Sequence, residues 1–153
     1  MACGFESRRP LMLLILQKFF VYGCIGILVE FFFTGFASLL KKNWKATGYS
    51  YLWMLPIYGF TSFALEAISR GLPWPFYLKA LVYVPIIYGV EALSGWTIKL
   101  IIGHIPWDYQ KSKWTPMGLI NLTYAPFWLL LALAFDPISS WLRRILTFLA
   151  KME

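Results

Sequence analysis

Four stretches of the chain are apolar almost without interruption, at about 19–40, 51–69, 76–102 and 116–135. Each approaches or exceeds the roughly 20 residues that cross a bilayer core. Polar residues gather in the short connectors between them. This pattern predicts an all-α, polytopic membrane protein with four transmembrane helices in two antiparallel hairpins. Residues 1–18 read as an N-terminal tail and interfacial lead-in, 19–135 as the four-helix membrane domain, and 136–153 as an amphipathic basic tail. In that tail Trp141, Ile145 and Leu149 are the apolar positions, with Arg143, Arg144 and Lys151 between them. A helix so patterned suits an anionic membrane surface.

Pro56, Pro85 and Pro126 fall inside the second, third and fourth stretches. Proline removes a backbone donor, so each is expected to kink its helix, chiefly shaping the bundle. Trp44, Trp53, Trp74, Trp107, Trp114 and Trp141 flank the apolar stretches, where an interfacial aromatic belt places them.

Composition strengthens the membrane reading. Hydrophobic residues make up 59% of the chain and charged residues only 14%, against roughly 25% in soluble domains. Arg8 and Arg9 precede an apolar run that continues, without a small-residue cleavage motif, into a full span, which reads as a retained first helix. The net charge of +7 is spread along the membrane edges, which argues against nucleic acid as a partner. Four spans put Arg8, Arg9, Arg70, Arg143, Arg144 and Lys151 on one side. Lys41, Lys42, Lys45, Lys111 and Lys113 fall on the other. The excess of positive charge favours cytoplasmic termini. Cys3, Cys24 and a single histidine make neither a disulfide framework nor a zinc site, so no metal and no cofactor is expected.

Three acids interrupt the apolar stretches: Glu30, Glu66 and Glu91. A carboxylate at the bilayer centre costs about 2.5–3.5 kcal/mol even on insertion scales, so buried acids face a bundle interior and are paired, protonated or bound to a cation. At about 1.5 Å per residue, Glu30 and Glu91 lie roughly 16 and 22 Å into helices that run the same way. They are expected to share a level and a polar partner, or each other. Glu66 has Arg70 four residues on, which allows an ion pair at a helix end.

A Tyr-Gly pair stands seven residues before two of these acids, as Tyr22-Gly23 before Glu30 and Tyr58-Gly59 before Glu66. Glycine lets helices approach closely, and a phenol such as that of Tyr58 can reach a carboxylate. The densest polar constellation is the connector 103–118, with His104, Pro106, Trp107, Asp108 and Tyr109. Its prolines and aromatics predict an ordered turn, with Trp107 packed and Asp108 either capping a backbone amide or collecting cations at a cavity mouth. Nothing here resembles a catalytic set. Ser112 lacks an elbow motif, and the chain has no Walker A sequence, no glycine-rich phosphate loop and no HExxH. The protein reads as a non-enzyme, and any linked ATPase is another chain.

Asn43-Trp44, Leu52-Trp53, Ile57-Tyr58-Gly59, Glu66, Glu91 and Gly95 come in an order that continues into Pro106-Trp107-Asp108-Tyr109, Met117-Gly118-Leu119-Ile120, Tyr124-Ala125 and Trp128. This order and spacing resembles the transmembrane protein 229 group, within the CmpB-like ABC-transporter type IV membrane family. The likeness runs from about Tyr22 to Phe135, and Gln110 and Thr123 depart from it. It implies a small multi-pass membrane protein acting as a permease-like or accessory subunit.

Three functions fit these residues. The first is a transport component whose carboxylates Glu30, Glu91 and Glu66 handle protons or a cation. The second is a structural or regulatory subunit of a larger membrane complex, and the third a lipid-handling membrane enzyme using His104, Asp108 and the glutamates. Four helices enclose little volume, so membrane lipids aside, the expected partners are further copies of the chain or other membrane subunits.

Overall fold

A computed structural model describes residues 9–110 and 112–149; Cys3, Arg8, Lys111 and Lys151 lie outside them. Among the described residues every regular element is helical. Helix α1 covers Arg9–Leu40, α2 Met54–Gly71, α3 Phe76–Ile102 and α4 Ala125–Leu149, with two 3-10 turns at Pro116–Gly118 and Leu122–Tyr124 ahead of α4. Three segments are long and apolar enough to cross a membrane: Met12–Leu40, Phe76–Ile102 and Leu122–Leu149. The 18 residues of α2 reach about 27 Å, slightly less than the hydrocarbon thickness, and α2 is not one of the three. Large apolar side chains such as Phe32, Phe36, Leu130 and Trp141 are exposed, as lipid-facing residues are.

The chain forms two compact units. One holds the residues up to Phe63 together with those from Arg144 on, and the other is Ala64–Arg143. In the first, α1 meets the first half of α2 through glycines. A Cβ on Gly23 would come within 2.7 Å of the Leu55 carbonyl oxygen, and the Phe19 ring lies over Gly59 and edge-on to Phe60 at 5.0 Å. Helix α1 ends in a left-handed residue at Lys42 (φ 61), with the Asn43 N–H returning to the Ser38 carbonyl at 3.1 Å. In the second unit the buried face of α3 steps through Lys79, Tyr83, Ile87, Glu91 and Gly95 at intervals of four, one helical stripe. Tyr83 meets Phe135 of α4 edge-on at 5.6 Å.

Two expectations need correction. The fourth apolar stretch is not one helix from residue 116. Met117 (φ 54) and Gly118 (φ 69) turn the chain left-handed, Asn121 restarts it, and α4 then runs on through Pro137 to Leu149. Nor do Pro56 and Pro126 kink anything. They lie in the first turns of α2 and α4, where a missing N–H forfeits no helical bond. Pro85 and Pro137 are the prolines inside helices.

Candidate functional site

Glu30 sits four residues after Gly26, and the Tyr58 ring lies directly on that glycine. The missing side chain lets the phenol reach along α1 and donate to Glu30 Oε2 at 3.0 Å, while Ser50 Oγ donates to the same oxygen at 2.7 Å. The backbone preceding Ser50 is pinned by Thr34, whose hydroxyl accepts from the Tyr49 N–H at 2.8 Å. Glu30 is half-buried, and no donor among the described residues reaches its Oε1. Outside the spans, burial lifts the Tyr51 phenol above its ordinary value, and neighbouring Tyr49 and Glu30 push the same way.

Glu91 is buried on α3 and accepts from the Tyr109 hydroxyl at 3.1 Å. The 103–124 segment holds that phenol in place. Gly103, left-handed at φ 81, ends α3, and Trp107 packs at 3% exposure over Gly95 and donates its indole N–H to the Leu119 carbonyl at 3.2 Å. Asp108 is exposed and accepts from the Gln110 N–H at 2.8 Å, a local turn that orients the neighbouring Tyr109. His104 is exposed, with Nδ1 3.1 Å from the Ile102 carbonyl and no carboxylate partner among the described residues.

Asn121 ties the segment together. Its Oδ1 accepts from the Thr123 N–H at 3.0 Å and hydroxyl at 2.6 Å, its Nδ2 donates to Ser112 Oγ at 3.1 Å, and its carbonyl accepts from Tyr88 at 3.1 Å. At 2% exposure the side chain has no water to replace these bonds. Asn121→Ala is expected to cost about 1–3 kcal/mol, visible as a lower unfolding midpoint in detergent.

Glu66 is 1% exposed and pairs with the guanidinium of Arg70 at 2.6 Å, while that arginine reaches outward with 62% of its side chain exposed. A further cluster surrounds Asp136. Its Oδ1 accepts from Tyr83 at 2.7 Å and Ser69 at 2.9 Å, and its Oδ2 from Lys79 at 3.1 Å. The same ammonium donates to the Ser69 carbonyl at 2.9 Å.

Three of the acids thus repeat one device. Glu30, Glu91 and Asp136 each accept a hydrogen bond from a tyrosine brought by another element: Tyr58, Tyr109 and Tyr83. Over this framework lies a match to the family model described as "Putative ABC-transporter type IV", covering residues 17–152. The chain belongs to that family. No solved structure matches it. Family membership and three membrane-length apolar helices make it an integral membrane protein.

Of the residues singled out in the sequence of this family member, Glu30 and Tyr58 come together, as do Glu91 and Tyr109, with Trp107 beneath the same segment. Among the described residues, Asp108 and His104 hydrogen-bond only within their own turns. Sequence reasoning passed over Ser50, Lys79, Asn121 and Asp136. Lys79 lies four residues into the third apolar stretch and Asp136 just past the fourth, at the start of the tail, so neither stood out as the glutamates did.

Proposed function

We propose that this protein is the membrane component of a transport system, in which Glu30 and Glu91 take up and release a proton or small cation. The observation that carries this reading is Glu30. Both hydroxyl donors converge on Oε2, and Oε1 is left to a proton or ligand within an otherwise apolar helix. Glu66, neutralised by Arg70, is a supporting charge pair. The chain crosses the bilayer four times, with α2 as a short fourth span and both termini in the cytoplasm. That topology is supported by the length of α2 and the distribution of Arg and Lys. ATP hydrolysis, where the system needs it, belongs to a partner subunit, since the chain has no nucleotide-binding motif. The protein itself is not an enzyme.

The test is labelling with a hydrophobic carbodiimide, which reacts with protonated carboxyl groups in apolar surroundings. Peptide mapping should find label on Glu30, falling as pH rises, and Glu30→Gln should abolish it. Label elsewhere only, or label on Glu30 that ignores pH, would sink the reading.

A further inference from the structure

We propose that Asp136 and Ser69, at the C-terminal end of α2, form a binding site for a monovalent cation, either a small inorganic ion or a primary ammonium. In this structure the Lys79 side chain fills it. The site shares no side chain with the Glu30 and Glu91 hydrogen bonds and does not depend on their titrating.

The sequence builds the site at a helix end. Ser69 stands in the last turn of α2, and its carbonyl would accept from residue 73 if the helix continued. That residue is Pro73, which has no N–H. The freed carbonyl, at the negative end of the helix dipole, turns to Lys79 Nζ at 2.9 Å. Ser69 Oγ lies 3.3 Å and Asp136 Oδ2 3.1 Å from the same nitrogen. Three oxygens therefore meet the three donors of one ammonium. Broken or short membrane helices present their C-terminal carbonyls to ions in this way, and α2 is the shortest of the four helices.

The cage also stands without its lysine. Tyr83 and Ser69 both hold Asp136 Oδ1, so the carboxylate keeps its place when the ammonium leaves. One carboxylate with a carbonyl and a hydroxyl offers a single negative charge. That suits a monovalent ion, whereas divalent ions gather more carboxylates. Lys79 is the fourth residue of α3, so its four-carbon stem starts near a helix end and can swing toward water. The lysine acts as a tethered cation that exchanges with a free one.

Two measurements decide this. Purified Lys79→Ala should gain several degrees of thermal stability in sodium, potassium or methylammonium chloride over choline chloride at equal ionic strength. Lys79→Ala/Asp136→Asn should gain none. In the wild-type protein, mass-mapped acylation of Lys79 by a succinimidyl ester should run about threefold faster in sodium or potassium chloride than in choline chloride, because a bound ion releases the amine. Equal acylation rates would overturn the proposal even if Lys79→Ala fails to fold. So would a folded Lys79→Ala whose midpoint ignores the cation, or a shift that survives loss of the Asp136 charge. None of these results bears on carbodiimide labelling of Glu30, so the two readings fail separately.

Discussion

Replacing Lys79 alone, or Asp136 alone, with an apolar residue is expected to destabilise the protein by about 3–5 kcal/mol, whereas Lys79→Met with Asp136→Leu should recover much of that loss. The two side chains are only 11% and 16% exposed. Removing one leaves the other charged and short of water. Removing Lys79 strips Asp136 of its counter-charge, though Tyr83 and Ser69 still donate to it. Removing Asp136 leaves the ammonium with the carbonyl and hydroxyl of Ser69 alone. Of the two single variants, Lys79→Met should therefore be the milder. Midpoints of denaturation in mild detergent, for both single variants and the double, measure this. Additive losses would show that the pair is not coupled.

The same cluster shows where local pattern stops informing. Asp136 meets Ser69, Lys79 and Tyr83 across separations of 67, 57 and 53 residues. No periodicity encodes such contacts, and Asp136 beside Pro137 reads as the end of an apolar stretch. Where the punctuation is local, the sequence was legible. The third stretch, about 76–102, coincides with α3 because Pro75 stands before it and Gly103 adopts a left-handed cap after it. The fourth stretch failed for the opposite reason: residues 116–124 are nearly as apolar as a helix, and only the left-handed pair Met117-Gly118 and the polar Asn121 mark two turns there.

The carboxylates were legible as residues and less so as sites. Depth along the helices placed Glu30 and Glu91 at one level, but each has its own hydroxyl partners, Ser50 and Tyr58 for one and Tyr109 for the other. The Tyr-Gly echo pointed to a real contact with a different acid than its spacing suggested. Tyr58, eight residues before Glu66, donates to Glu30 on the facing helix. Eight residues along one helix separate a phenol from an acid by about 12 Å, whereas a glycine on the neighbouring helix removes that distance.

That glycine gives the second large effect. Gly26→Ala is expected to cost about 1–3 kcal/mol and to detach Tyr58 from Glu30. A Cβ at residue 26 would overlap Cγ, Cδ2 and Cβ of Tyr58. These atoms are near the backbone, so a rotamer change cannot clear them all and α2 must move away from α1. The consequence for Glu30 is specific. It loses the phenol, keeps Ser50, and should react faster with the carbodiimide at a given pH, because a donor that favours the ionised form is gone. Tyr58→Phe separates packing from hydrogen bonding, since it keeps the ring over Gly26 and removes only the hydroxyl. It should reproduce the change in reactivity with a smaller loss of stability. In the double variant the reactivity changes should not add, because both substitutions break the same bond, while the packing loss of Gly26→Ala should persist. Unchanged Glu30 reactivity in both single variants would mean that Tyr58 does not set the carboxylate's protonation.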